Sequence, residues 1–231
     1  EAAEYKQYFD QAPESMTAPI GLLGGTFDPV HHGHLRLALE CLERAGLAEV
    51  RLLPLHAPAH RNTALASAAQ RLQMLRLATA TEQQIKVDDQ EIQRGGISYT
   101  IDTLIHFREE DEQRPLCLIM GIDAFQQLHG WRRWEELPDY AHILVVNRPG
   151  KPDTLQHHKV AACYTRHAAH SPAELARAPA GRILMLPIPM LDISSTGIRD
   201  MVARGRNPRY LLPASVIDYI KQENLYCHVT H

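Results

Sequence analysis

The chain has 231 residues, 45% of them hydrophobic and 22% charged, with a formal net charge of -3 at pH 7. That length suits one well-packed α/β domain, and the near-neutral charge excludes a broad electrostatic footprint for nucleic acid, so any phosphate ligand is expected to be small. No apolar run approaches the roughly 20 residues of a membrane span, which argues against a membrane partner.

Residues 1–15, EAAEYKQYFDQAPES, carry no recognisable chemistry and no signal-peptide layout, and are set apart as an N-terminal extension; 16–231 are expected to form a single domain. From Ile20, IGLL reads as a buried strand, Gly33 to Ala45 as a helix, and EVRLLPL from Glu49 as a second strand. A helix from Ser67 to Ala80 leads to IKVDD at Ile85, and another helix runs from Thr100 to Glu110. LCLIMG from Leu116 is a strand buried on both faces. AHILVVNRP supplies a strand ending at Asn147, and GRILMLPI one ending near Ile188. Between Lys151 and Pro179 the sequence fits a helix plus an irregular loop. Helices from near Ser195 and from Pro213 to Glu223 close the chain. Six strands alternating with helices specify an α/β fold, a doubly wound, Rossmann-like parallel sheet with helices on both faces. Cys41, Cys117, Cys163 and Cys227 form no C-x-x-C pair, and three lie in apolar or helical runs. Reduced, mostly buried thiols in a cytoplasmic protein are expected.

In such a sheet ligands bind outside the carboxyl ends of the strands. The first strand runs into GGTFDPVHHGH, which is neither a Walker loop nor a dinucleotide fingerprint, because it has no Lys and its glycines are differently spaced. His31 and His34 flank Gly33 where a helix begins. Their spacing puts both imidazoles on one face of the first turn, beside unpaired N–H groups and the positive end of the helix dipole. A helix end of this kind attracts phosphate, and imidazole donors, partly cationic, would stabilise charge on a transferring phosphoryl group. Gly24 and Gly25 let a ligand approach the strand end. A zinc site and plain surface histidines are the alternatives; the zinc case lacks a third ligand at conventional spacing. His32 is expected to point elsewhere.

A second cluster, DISSTGIR, follows a strand-like run and opens a helix. Ser194, Ser195 and Thr196 offer hydroxyls near free backbone donors, with Arg199 one turn on. N-capping is the plainer account of the serines. Three hydroxyls plus an Arg exceed what capping needs, and a second helix N-terminus aimed at the same crevice would grip a polyphosphate from both sides.

With both clusters in view, the chain resembles the nucleotidyltransferase superfamily marked by a His/Thr-x-Gly-His motif, and within it the bacterial nicotinate-nucleotide adenylyltransferases. The likeness covers about Pro19 to Tyr226 and rests on GGTFDPVHHGHL and ISSTGIR, supported by SYTIDTL at Ser98, MGIDAF at Met120, HGWRRWEEL at His129 and RPG at Arg148. It implies transfer of AMP from ATP to nicotinate mononucleotide, giving nicotinate adenine dinucleotide and pyrophosphate. The attack would be direct and in-line, with Mg2+ held through the phosphates and not by protein side chains. No activated Ser or Cys nucleophile is evident, which suits that chemistry.

By the resemblance, His31, His34 and Arg199 act on the ATP phosphates. Gly24, Gly25, Thr26 and Phe27 cradle the nucleotide through their backbone, Ser194, Ser195 and Thr196 hold the triphosphate tail, Arg148 assists, and Asp123 accepts from the ribose hydroxyls. For Asp123 a helix cap is the alternative. On the pyridine side, Tyr99 and Thr100 open a helix whose N–H groups would meet the substrate carboxylate. An amide would turn a donor toward those donors, so the acid is expected to be preferred. Trp131 would stack on the ring, and His60 and Arg61 would retain phosphate contacts; Trp134 is read as structural. The chain departs from the family in PLHAPAHR, where Leu55 and Ala59 replace a polar residue and a Pro. His56 either supplies that contact or is solvated. The rival readings are an adenylyltransferase acting on pantetheine phosphate or nicotinamide mononucleotide, and a module that binds nucleotide without turnover.

Overall fold

The computed structural model describes residues 17–58, 64–147 and 154–227. Strand β1 (Ile20–Gly25) leads into α1 (His32–Arg44), β2 (Glu49–Pro54), the two-residue β3 (Ala57–Pro58) and α2 (Ala68–Thr79). Then come β4 (Ile85–Val87), α3 (Gln90–Arg94), β5 (Ile97–Ser98), α4 (Thr100–Glu110) and β6 (Leu116–Gly121). The second half runs through α5 (Ile122–Gln126), α6 (Leu137–Tyr140), β7 (His142–Asn147), α7 (His158–His167), β8 (Ala168–Ala169), β9 (Ile183–Pro187), α8 (Ser195–Ala203) and α9 (Ala214–Gln222).

Seven strands form one parallel sheet in the order β4-β2-β1-β6-β7-β9-β8. Strand order reverses between β1 and β6, so the crevice expected of a doubly wound sheet opens beside the end of β1. The seventh strand is the short edge element β8, which joins the six expected from sequence. A separate parallel pair, β3 with β5, was not expected; a two-residue ladder leaves no periodicity to read. The helix expected between Lys151 and Pro179 is α7.

The apolar strands carry two cores because side chains alternate across the sheet. Leu23, Leu52, Ile119, Leu144 and Val146 face one cluster with Cys41 of α1, Leu75 of α2 and Val216 of α9. Their neighbours Leu22, Leu53, Leu118, Ile143 and Val145 face the other with Leu104 of α4, Phe125 of α5 and Val160 of α7. The two helices that will frame the site, α1 and α8, therefore lie on the same face. Helix α2 begins with a reciprocal cap: Gln70 N–H donates to Ser67 Oγ at 3.2 Å, and Ser67 N–H donates to Gln70 Oε1 at 2.9 Å. All four cysteines are free; Cys41 and Cys117 are buried, Cys163 is half-buried and Cys227 is exposed. Among the described residues no helix is long and apolar enough to cross a membrane.

Candidate active site

A cavity of about 960 Å³ opens at the end of β1, between the N-termini of α1 and α8. Its floor is Gly24, Gly25 and Thr26, and a side chain built on Gly24 would meet nothing within 4 Å, so that strand end is open to a ligand. Helix α1 starts without a conventional capping side chain. Its cap residue, His31, is extended (φ -147°, ψ 171°), and His31 N–H donates to His34 Nδ1 at 3.3 Å. An accepting Nδ1 leaves the proton on Nε2, so His34 offers an Nε2–H donor. The two rings stack with centroids 3.8 Å apart, and Phe27, in a left-handed conformation (φ 51°), packs edge-on against His34 at 5.0 Å. Gly33 permits this arrangement, because a Cβ there would lie 2.9 Å from both Cε1 and Nδ1 of His31.

Burial holds both imidazoles well below their usual range, His31 at about 4 with help from His32, and His34 at about 3 with help from His31. This corrects the expectation of a partly cationic pair: the free site holds two neutral rings at pH 7. His31 Nδ1 is buried and has no hydrogen-bond partner among the described residues. His32 turns its N–H to Leu211 O at 2.9 Å and does not line the cavity.

The opposite wall is the start of α8. Ser194 Oγ accepts from Gly197 N–H at 3.1 Å, and Ser195 Oγ donates to Pro29 O at 2.9 Å, so one serine caps the helix and the other ties it to the β1–α1 loop. Arg199 Nη1 donates to Asp28 O at 2.8 Å and Nη2 to Thr196 Oγ1 at 3.2 Å. The hydroxyls thus have protein partners, and what the turn offers a ligand is its first backbone N–H groups and the remaining guanidinium donors.

Beneath the loop lies a buried polar network that sequence reasoning missed. Arg71, 1% exposed, donates to Thr26 O at 2.8 Å, His56 O at 3.1 Å and Ala66 O at 3.3 Å. The Asp28 carboxylate accepts from Leu65 N–H at 2.8 Å, Ala66 N–H at 3.2 Å and Tyr226 Oη at 2.7 Å. In the sequence Asp28 reads as half of an Asp-Pro turn and Arg71 as one polar residue of a helix; all the Asp28 partners and the Thr26 partner of Arg71 are distant in the chain, so no local signal marks them. His56 joins this framework. Its N–H donates to Ser98 Oγ at 3.1 Å and its ring Nδ1 pairs with Gly96 O at 3.0 Å, which docks β3 against β5.

Asp123, Tyr99, Thr100 and Trp131 do not line this cavity. Asp123 is exposed in the first turn of α5, and Gly121 is the cap residue there. Tyr99 caps α4 and Thr100 opens it, while Arg132 lies over the Tyr99 ring at 4.6 Å. Trp131 follows the 3-10 turn Leu128–Gly130 and, with Tyr99 and Trp134, packs against the second core. His60, Arg61 and Arg148 fall outside the described residues. Among the described residues no group of three His, Cys, Asp or Glu is placed to hold a metal ion.

The chain matches the Cytidylyltransferase-like family over residues 22–201. A protein of Aeromonas salmonicida named "probable nicotinate-nucleotide adenylyltransferase" is 48% identical over 212 residues, covering 91% of this chain and 98% of that one. Another of that name, from Marinobacter nauticus, is 48% identical over 206 residues, covering 89% of this chain and 95% of its own. In fold, the Plasmodium falciparum nicotinic acid mononucleotide adenylyltransferase complexed with NaAD matches with a TM-score of 0.68 at 17% identity, covering 91% of this chain and 98% of that one. Its complex with APC matches with a TM-score of 0.66 at 16% identity and the same coverage.

Proposed function

The chain belongs to the cytidylyltransferase-like family and, within it, to the nicotinate-nucleotide adenylyltransferases, the enzymes that transfer an adenylyl group from ATP to nicotinate mononucleotide in NAD biosynthesis; we propose that it does so by direct in-line attack at the cavity between α1 and α8. A phosphate oxygen of the mononucleotide attacks the α-phosphorus of ATP. The bond from that phosphorus to the bridging oxygen breaks, and its electron pair leaves with pyrophosphate.

One observation carries this reading: His31, His34 and Arg199 line a single cavity with Gly24 and Gly25, flanked by two helix N-termini. The first backbone N–H groups of both helices have no intrahelical acceptors, and phosphate oxygens, which accept, satisfy such donors. His34 Nε2–H, the α8 N–H groups and Arg199 are donors for the β- and γ-phosphates, where negative charge develops as pyrophosphate leaves. Because both rings are neutral in the free site, they bind as hydrogen-bond donors first. The incoming polyanion then raises their proton affinity.

Among the described residues the cavity presents nitrogen donors and no set of carboxylates, which suits a divalent cation, Mg2+, that arrives on the ATP phosphates with water as its other ligands. That ion would neutralise phosphate charge. Asp123 accepts from the ATP ribose, and Arg148, His60 and Arg61 meet phosphates. The Tyr99 and Thr100 N–H groups hold the nicotinate carboxylate while Trp131 stacks on the ring. The compartment that fits four free thiols is the cytoplasm.

The test is pyrophosphate release with ATP and Mg2+, comparing nicotinate mononucleotide, nicotinamide mononucleotide and pantetheine phosphate. Turnover is expected to be strongest with the nicotinate substrate. Equal turnover with either alternative would overturn the substrate assignment, and none with any of the three in protein that binds ATP would leave a nucleotide-binding module.

A further inference from the structure

Asp28 joins four separate parts of the chain. Its carboxylate, in a residue only 4% exposed, takes the Leu65 and Ala66 amides from the lead into α2 and the Tyr226 hydroxyl from beyond α9. Its main-chain carbonyl takes Arg199 Nη1 from α8 at 2.8 Å. Asp28, Leu65 and Arg199 all line the cavity, whereas Tyr226 stands behind them and packs against the first core.

Tyr226 reaches Asp28 across 198 positions of sequence, from a left-handed backbone (φ 63°) that side-chain-bearing residues seldom adopt. Burial and the neighbouring carboxylate push its phenol pKa upward, so the hydroxyl stays protonated and donates. Without it, the carboxylate is anchored only by two amides of one segment, and the loop is free to follow that segment.

We infer that Tyr226 is a positioning residue: its hydrogen bond to Asp28 fixes the loop carbonyl that aims Arg199 at the phosphates of the nucleotide. The role of Arg199 in this statement rests on the adenylyl-transfer reading. Nothing about Tyr226 requires it to touch substrate, so its influence belongs to ATP and not to the mononucleotide.

The experiment is Tyr226→Phe, which keeps the ring packing and removes the donor. kcat/KM for ATP falls roughly tenfold, as loss of a hydrogen bond to a charged group can cause, and the change lies in KM for ATP while KM for nicotinate mononucleotide stays put. In an Arg199→Ala background the same change alters kcat/KM for ATP less than about twofold, read from the slope at subsaturating ATP. Hydrogen exchange at the Leu65 and Ala66 amides speeds up in Tyr226→Phe. An unchanged KM for ATP, or equal fold losses in the two backgrounds, overturns the inference, as does unchanged exchange. If the parent protein releases no pyrophosphate, the functional reading fails instead. Calorimetric ATP titration and amide exchange, which need no turnover, then still decide the tether: equal ATP affinity and equal exchange in parent and variant sink it.

Discussion

The imidazoles of His31 and His34 lie face to face, centroids 3.8 Å apart and planes 29° from parallel, with a glycine between them in sequence. Both are held neutral by burial, at about 4 and about 3 against an ordinary value of 6.5. Above that ordinary value the folded and unfolded chains bind the same protons at these sites. As pH falls below 6.5 the unfolded imidazoles protonate first, so the stability contributed by the neutral pair is lost progressively toward pH 3–4. Denaturant unfolding of parent and His31→Gln, compared at pH 7 and pH 5, is expected to show a smaller acid-induced loss in the variant. Parallel losses would mean that His31 is not held neutral.

For His34→Ala, kcat is expected to fall by about 10², the scale for removing one preorganised donor from a developing oxyanion. The check is pyrophosphate release by folded variant at saturating substrates, and an unchanged kcat would remove His34 from the chemistry.

Gly33→Ala tests the packing of the pair without touching either ring. The new methyl carbon would sit 2.9 Å from the His31 ring, so the imidazole must move. A misplacement of this order costs about 10² in rate, measured again as kcat, with far-ultraviolet circular dichroism to show that the fold persists. Activity equal to the parent would show that the ring's position is not critical.

Trp131→Ala is expected to raise KM for nicotinate mononucleotide by about tenfold while leaving KM for ATP within about twofold, since stacking a base on an aromatic ring contributes about 1–3 kcal/mol. Steady-state kinetics with each substrate varied in turn separates the two; equal KM values for the mononucleotide would mean that Trp131 serves only the core.

Arg71→Met removes the donor shared by three carbonyls, those of Thr26 and His56, which are partly buried, and of Ala66, which is buried. A destabilisation of about 3 kcal/mol is expected from the unpaired acceptors. Arg71→Lys does not restore it, because one ammonium cannot span three carbonyls on separate segments. Urea unfolding midpoints provide the measurement, and a full rescue by Lys would refute the bridging role.

By itself the sequence determined the alternation of strands and helices. Continuous apolar runs such as LCLIMG and HILVVN fit only strands covered on both faces, and helix boundaries at Ser67, Thr100 and Pro213 followed from capping residues and periodicity. It also marked His31, His34, Ser194 and Arg199, because dense clusters of polar residues and glycine directly after apolar strands have few purely structural uses. These are local signals, written within one or two turns of chain. The tertiary structure alone decided what depends on distant neighbours. Desolvation made the two imidazoles neutral, and backbone partners claimed the hydroxyls of Ser194 and Ser195. The pairing of β3 with β5 and the meeting of Asp28, Arg71 and Tyr226 join segments far apart in the chain. Burial and long-range hydrogen bonding have no period and no fixed spacing, so they become visible only when the chain has folded back on itself.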